Sequence, residues 1–237
     1  MSTQPTQTRP GGGTKRVRLV LRSREHHYGD VHTYHFSADE PLPYNAGQYV
    51  HVALELADPD AKRVRELSFS SAPHEEHVSF TIDGRSRSPF QLHMLAMQPG
   101  DSLQLFKSKM HMLWPVIEEC VVFIAGGVGV TPFRSMALDK AHSGVRMRME
   151  LIHAAGSEHL FADVLQPLMD EYIATDRAGL AGEIRACIER NPDARYYIAG
   201  SPGFVEGVMQ QLEAGGISQK KIETDEFKGY EENWTGE

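Results

Sequence analysis

The stretch at residues 121–132, VVFIAGGVGVTP, restricts the folds open to this chain more than any other. A continuous run of strand-forming apolar residues breaks into three glycines within four positions, and a helical pattern starts at Thr131 and Pro132. Glycine lets a ligand approach the backbone closely, and the first turn of a helix carries amide donors without intrahelical partners. The stretch therefore predicts a strand, a glycine turn and a helix start that together bind a nucleotide.

The rest of the second half continues this alternation of strands and helices. Further strands are predicted at residues 147–153, 195–199 and 222–227, and helices at 132–142, 159–171, 183–190 and 204–214. Such alternation is typical of a parallel sheet, in which ligands bind at the carboxyl ends of the strands. A second glycine turn, at residues 200–203, leaves its strand at that same edge. We therefore expect the two turns to line one site.

The first half of the chain has a different pattern. Six short strand-like runs are separated by turn formers, and they lie at residues 17–22, 31–36, 49–56, 64–71, 78–82 and 103–106. A helical stretch at residues 89–97 interrupts them. Short strands with regular turns are typical of a small antiparallel barrel or sandwich. The change of pattern predicts a domain boundary near residues 112–118.

Composition narrows the classes of function. The chain has 237 residues, which is long enough for one large domain or two small ones. Its net charge of −8 disfavours nucleic acid as a partner, and no apolar run of about 18 residues is present to span a membrane. Cys120 and Cys187 provide neither an iron–sulfur motif nor a disulfide framework, so a reducing cytoplasm is expected. Residues 1–14 are polar and are expected to form a disordered arm rather than a signal peptide.

A second marked stretch, RELSFSSAP at residues 65–73, lies on a predicted barrel strand. The guanidinium of Arg65 matches the oxygens of a pyrophosphate. Ser68 lies about 10 Å further along the strand, where its hydroxyl could hydrogen-bond the ring edge of the same ligand. An ordinary serine-rich strand beside a surface arginine is the alternative.

Together, these stretches resemble the ferredoxin–NADP reductase superfamily of two-domain flavoproteins. RELSFSSAP is similar to the flavin motif Arg-x-Tyr-Ser-x-x-Ser, AGGVGVTP to the nicotinamide-loop motif Gly-Gly-x-Gly-x-(Thr/Ala)-Pro, and YYIAGSPGFV to the motif that contains Cys-Gly-Pro. GQYV, PGD and IETDEFKGY also resemble stretches of the family. The resemblance covers roughly residues 15–230, with the motifs in the same order.

The resemblance implies a fold and an activity. The fold is an N-terminal antiparallel six-stranded flavin-binding β-barrel (residues 15–114), followed by a parallel-sheet, Rossmann-like nucleotide-binding domain (residues 115–237). The activity is that of an enzyme, an NAD(P)H-dependent flavoprotein reductase with FAD as its cofactor. Electrons from NADH or NADPH would pass to a separate ferredoxin, flavodoxin or partner oxygenase, and we expect the reductase to be a monomer.

The resemblance also implies roles for individual residues. Ser68 and Phe227 are the implied catalytic residues, since Ser68 would approach the reactive flavin nitrogen and Phe227 would cover the flavin face on which the nicotinamide stacks. The residues implied to hold FAD are Arg65 at the pyrophosphate, Leu67, Thr81 and Ile82 around the flavin ring, and Ser88 and Phe90 at the start of the barrel helix. The residues implied to hold the nicotinamide nucleotide are Gly127, Val128, Gly129, Val130, Thr131, Pro132, Ser157, Gly200, Ser201, Pro202 and Phe204.

Three departures from the family pattern leave alternatives open. Leu67 replaces the tyrosine of the flavin motif, and Ala199 replaces a common cysteine. Residues 153–158 lack the arginine that would bind a 2′-phosphate, which favours NADH or a relaxed choice between the nucleotides. The alternative functions are a non-catalytic flavin- or nucleotide-binding subunit of a larger complex and a free flavin reductase.

Two further groups of side chains have weaker implications. His32 and His35 point to opposite faces of their strand, so the 12 histidines of the chain are not expected to bind a metal. Lys107 and Lys109 lie near the predicted flavin edge, where a basic rim would suit an acidic carrier protein. Ordinary surface lysines are the equal alternative.

Overall fold

The computed structural model describes residues 16–56, 60–110, 112–115, 120–144, 146–156 and 158–227. Two predictions lie outside these residues: the disordered arm at 1–14 and the nucleotide contact of Ser157.

Six antiparallel strands form the first sheet, as predicted. They are β1 (Val17–Tyr28), β2 (Val31–Ala38), β3 (Gln48–Ala53), β4 (Val64–Ser68), β5 (Val78–Asp83) and β6 (Ser102–Met110), in the spatial order β4-β3-β6-β1-β2-β5. The sheet curls because the amide of Ser70, just after β4, donates to the carbonyl oxygen of Ser79 on β5 at 2.9 Å. The inward side chains form an apolar core, which helix α1 (Pro89–Ala96) covers with Phe90 and Met94.

Five parallel strands form the second sheet, also as predicted. They are β7 (Cys120–Gly126), β8 (Arg148–Ala154), β9 (Glu171–Thr175), β10 (Arg195–Gly200) and β11 (Ile222–Glu226), in the order β11-β10-β7-β8-β9. The helices of this half are α2 (Thr131–Ser143), α3 (Ala162–Leu165), α4 (Leu180–Arg190) and α5 (Pro202–Ala214). The strands are apolar on both faces because each face packs in a separate hydrophobic cluster.

The prediction of a helix at residues 159–171 is largely wrong. Only Ala162–Leu165 is α-helical, a 3-10 turn follows at Gln166–Leu168, and β9 begins at Glu171. Pro167 cannot donate a backbone hydrogen bond, which disfavours continuation of the helix. Asp170 then pairs with Met149 on β8 through two 2.8 Å hydrogen bonds, so the chain joins the edge of the sheet.

The first turn of α2 ties the parallel sheet to the barrel. The guanidinium of Arg134 donates to both carboxylate oxygens of Glu75 at 2.8 and 2.9 Å and to the carbonyl oxygen of Ser70 at 2.6 Å. Beside it, the hydroxyl of Ser135 donates to the carbonyl oxygen of Ser71 at 2.6 Å. Burial alone would raise the pKa of Glu75, but the hydrogen bonds and charge of Arg134 hold that pKa below its ordinary value.

The predicted domain boundary between residues 114 and 115 remains a prediction.

Candidate functional site

A cleft of about 250 Å³ lies between the two sheets. The barrel contributes Tyr49, Glu66 and Ser68 to its walls, and the end of β11 contributes residues 224–227, including Asp225 and Phe227. The hydroxyl of Ser68 donates to Oδ2 of Asp225 at 2.8 Å, and both side chains are buried, at 8% and 7% exposure. The structure therefore brings Ser68 and Phe227, the two predicted catalytic residues, into one cleft.

The two glycine turns meet at the edge of the parallel sheet next to this cleft. β7 and β10 are neighbours, with Ala125 opposite Ala199, so their carboxyl ends lie side by side. Gly129 packs directly on the β10 backbone, since a Cβ atom placed there would lie 2.2 Å from the carbonyl oxygen of Ala199. The amide of Phe227 donates to the carbonyl oxygen of Gly200 at 2.8 Å, which joins this edge to the cleft.

The predicted nucleotide-binding residues divide into partly exposed and buried positions. Gly127 and Val128 are partly exposed, as are Pro202 and Phe204, and Ser201 is exposed. Gly129, Val130, Thr131 and Pro132 are buried, and so is Gly200. The ring of Phe204 covers Gly126 and Gly200, where a Cβ atom would meet it at 2.9 and 2.8 Å. Ligand contacts in this region would therefore come from the first part of each turn and from the start of α5.

Arg65 reaches the start of helix α1. Its guanidinium carbon lies 5.9 Å from the ring centroid of Phe90, and it has no salt bridge to any carboxylate among the described residues. Ser88 caps this helix: its hydroxyl accepts from the amide of Gln91 at 3.3 Å, and the Gln91 side chain accepts from the Ser88 amide at 3.3 Å. The structure thus brings Arg65, Phe90 and Ser88 together, although the Ser88 hydroxyl is used within the helix.

Leu67 and Ile82 lie away from the cleft. Their side chains are buried in the barrel core, at 7% and 3% exposure, because alternate residues of a strand face opposite sides. Thr81 lies on the outer face of β5 and hydrogen-bonds Thr33 at 2.8 Å, and Thr33 in turn bonds Nε2 of His27 at 2.7 Å. The structure therefore groups Thr81 with outer-face polar residues and does not bring Leu67 or Ile82 to the cleft.

Sequence reasoning missed five residues that line the cleft, namely Tyr49, Glu66, Thr224, Asp225 and Glu226. Burial, followed by the charges of Glu66 and Asp225, raises the pKa of Tyr49 to about 12, which keeps the phenol protonated. Asp225 lies on the edge strand β11 in the stretch IETDEF, and it is the one buried residue of that strand, so the pattern of the stretch did not distinguish it from its acidic neighbours.

Lys109 borders the cleft, whose own lining includes the carboxylates of Glu66, Asp225 and Glu226. Nζ of Lys109 lies 5.9 Å from the ring centroid of Tyr49 and 3.8 Å from Glu66, which also pairs with His51 at 3.1 Å. Lys107 is exposed and has a backbone φ of 49°, a conformation that turns the strand locally. Among the described residues, no three side chains are arranged to hold a metal ion, and no helix is long and apolar enough to cross a bilayer.

Comparison with known sequences gives distant relatives. No protein-family model matches the chain. The flavohemoprotein of Pseudomonas putida strain KT2440 is 25% identical over 237 residues, which cover 91% of this chain and 59% of the relative. The toluate 1,2-dioxygenase electron transfer component of Pseudomonas putida is 26% identical over 211 residues, covering 78% and 59%. The chain thus spans about three-fifths of the length of these two relatives.

Solved structures share the fold. The FAD/NAD-binding domain of nitric oxide dioxygenase from Vibrio cholerae superposes with a TM-score of 0.75 at 20% identity, over 89% of this chain and 98% of that one. A ferredoxin NADP⁺ reductase from Neisseria gonorrhoeae, with bound FAD and NADP, gives 0.75 at 19% identity, over 90% and 99%. The two-domain fold and the resemblance inferred from the motifs are therefore confirmed.

Proposed function

We propose that this chain is an NAD(P)H-dependent flavoprotein reductase of the ferredoxin–NADP reductase-like fold, with FAD as its cofactor and a separate protein as electron acceptor. The observation that carries the proposal is the cleft in which Ser68 and Asp225, from different sheets, share a hydrogen bond beside Phe227. Both glycine turns end next to this cleft, at the sheet edge where nucleotides bind in such folds. Flavohemoproteins and a dioxygenase electron transfer component among the relatives support the same reading.

The residues present fit FAD. Arg65 has no described carboxylate partner and lies at the start of α1, so a cation and a helix N-terminus are available together for a pyrophosphate. The cleft between Tyr49, Ser68 and Phe227 offers aromatic walls and a hydroxyl to a planar ring. When bound, FAD accepts a hydride from the nicotinamide and releases electrons one at a time.

Ser68 and Asp225 provide a defined hydrogen-bonding group at the cleft wall. The Ser68 hydroxyl has one proton, which it donates to Asp225, so its oxygen lone pairs remain to accept from a ligand N–H. A proton leaving such a ligand can move to Oγ of Ser68 while the serine proton moves to Oδ2 of Asp225. Ser68 is therefore the contacting residue, and Asp225 orients it and receives the proton.

The nicotinamide nucleotide would enter along the sheet edge. Gly127 and Val128 lie on one side of its path and Ser201 and Phe204 on the other, and the missing Cβ atoms of Gly126 and Gly200 leave room for the Phe204 ring. Phe227, which lines the cleft, would cover the flavin face on which the nicotinamide stacks. The departure at residues 153–158 makes NADH the first choice as electron donor.

The acceptor would dock beside the cleft at Lys109. Lys109 borders the cleft through Tyr49, and the exposed Lys107 precedes it by two residues on β6, so an acidic carrier protein or oxygenase component placed there would lie close to the flavin. A cytoplasmic monomer completes the proposal, in keeping with the free thiols of Cys120 and Cys187.

An anaerobic titration followed by absorption spectroscopy tests the proposal. We expect a yellow protein whose flavin band bleaches when NADH is added, and more slowly or not at all with NADPH. A colourless protein that reduces only added flavin would instead identify a free flavin reductase. A yellow protein that neither nucleotide bleaches would identify a non-catalytic subunit and overturn the proposal.

A further inference from the structure

His153 contacts the first glycine turn from the buried side of the sheet edge. It lies near the end of β8, and its imidazole is fully buried at 0% exposure. Its Nε2 lies 2.9 Å from the carbonyl oxygen of Gly127, the first residue of the turn, where φ is +53°. The contact therefore acts on the partly exposed part of the nucleotide-binding turn rather than on its buried part.

The chemistry of this contact fixes the state of the imidazole. A carbonyl oxygen only accepts hydrogen bonds, so Nε2 carries the proton and donates it. Nδ1 is then an acceptor, and the hydroxyl of Tyr172 on β9 lies 3.4 Å from it. Burial lowers the pKa of His153 to about 4, against a smaller opposing effect of the Gly127 hydrogen bond, so the ring is neutral near pH 7.

Because the peptide bond is planar, the contact at the Gly127 carbonyl also sets the direction of the Val128 N–H. In a trans peptide, the C=O of one residue and the N–H of the next point in opposite directions. Because the Gly127 carbonyl points to the buried imidazole, the Val128 N–H points away from it. Gly127 has a left-handed backbone conformation, which glycine adopts without steric strain because it has no Cβ atom. The peptide can therefore keep the orientation in which its carbonyl oxygen contacts the imidazole.

We propose that His153 is a positioning residue for the nicotinamide nucleotide, since its Nε2–H fixes the Gly127–Val128 peptide with the Val128 amide turned toward the bound nucleotide. This proposal rests on the proposed function. A positioning role for His153 depends on its Nε2–H donor, whereas a packing role would depend only on the volume of the imidazole ring.

Two substitutions in the flavin-loaded protein separate these roles. His153→Leu fills similar volume without a donor, and His153→Gln places an N–H at a similar reach. We expect the leucine variant to keep its flavin and its kcat within about twofold, while the KM for NADH and the Kd for NAD⁺ by calorimetry rise about tenfold. The glutamine variant should recover most of this loss.

A second measurement does not depend on turnover. Nitrogen-15 NMR of the histidine ring should show the Nε2–H tautomer of His153 at neutral pH, and bound NAD⁺ should slow hydrogen exchange of the Val128 amide in the wild type and much less in His153→Leu. Equal losses in the two variants, or unchanged NAD⁺ affinity in a folded His153→Leu, would overturn the positioning role. A wild-type protein whose flavin NADH does not reduce would overturn the proposed function instead.

Discussion

At the scale of single residues, Ser68 and Asp225 depend on each other although 157 positions separate them. Each is buried, and a buried carboxylate is stable only when it is hydrogen-bonded or paired. The serine satisfies one oxygen of Asp225, and the carboxylate determines which way the serine proton points. The pair therefore has one chemical property, an oriented oxygen, that neither residue has alone.

Asp225→Asn tests that orientation. The asparagine can turn its amide toward Ser68, so the serine proton is redirected into the cleft and proton transfer to Asp225 is lost. We expect flavin content to be retained and the rate at which a one-electron acceptor reoxidises the NADH-reduced flavin to fall about 10–100-fold, measured by anaerobic stopped flow, because the ring N–H proton leaves in that half of the reaction. Glu213→Gln, at the far end of α5, is the control and should react at the wild-type rate. A wild-type rate in Asp225→Asn would contradict the assigned role.

Arg65→Ala tests the anchoring of the cofactor. Removal of the guanidinium beside the α1 N-terminus should weaken FAD binding about 10–100-fold, because charged hydrogen bonds to phosphate are lost. The measurement is flavin released during desalting, with a dissociation constant from fluorescence titration. Arg63→Ala, two positions earlier and exposed, is the matched control. If the two variants retain equal flavin, Arg65 does not bind the pyrophosphate.

At the scale of elements, helix α2 both continues the glycine turn and holds the parallel sheet to the barrel. Its start continues the glycine turn, and its next residues, Arg134 and Ser135, hold the segment after β4. The position of the sheet edge relative to β4 is therefore set by the same helix that carries the turn. A shift of α2 would change the distance between Ser68 and Asp225.

Arg134→Ala should destabilise the protein, since it leaves Glu75 half-buried without its partner. The expected loss is about 1–3 kcal/mol in the free energy of unfolding, measured by urea denaturation. Arg185→Ala, exposed on α4, is the control and should change the midpoint little. An unchanged midpoint for Arg134→Ala would mean that this interface contributes no stability.

How far the sequence predicts an element depends on how local its determinants are. β7, the glycine turn and α2 were predictable because apolar runs, glycines and Pro132 act within a few residues. β9 was missed because its place is set by pairing of Asp170 with β8, after a helix that stops early. Asp225 was missed for the same reason, since its partner lies on another sheet.

At the scale of the whole molecule, one buried and three partly buried histidines act on acid stability in the same direction. Burial lowers the pKa of His153 to about 4 and also lowers the pKa values of His27, His32 and His35. A histidine with a depressed folded-state pKa binds protons more readily in the unfolded chain. Its stabilising effect is complete above the unfolded value of about 6.5 and is lost as the pH falls toward the folded value.

We therefore expect the free energy of unfolding to decrease between about pH 6.5 and pH 4, with up to about 3 kcal/mol of that decrease due to His153. Urea unfolding at a series of pH values measures it. His153→Gln should flatten the profile, because glutamine does not titrate. A wild-type profile that is level from pH 7 to pH 4 would contradict this prediction.

The position of β11 also has a consequence for how the protein is made. The strand supplies Asp225 and leads into Phe227, and it pairs with β10 through residues 222–226. A growing chain can fold its barrel early, since domains generally fold as units during synthesis. The cleft itself, however, exists only once residue 227 has left the ribosome and β11 has docked. Under the proposed function, no shorter nascent chain could carry out flavin chemistry at Ser68.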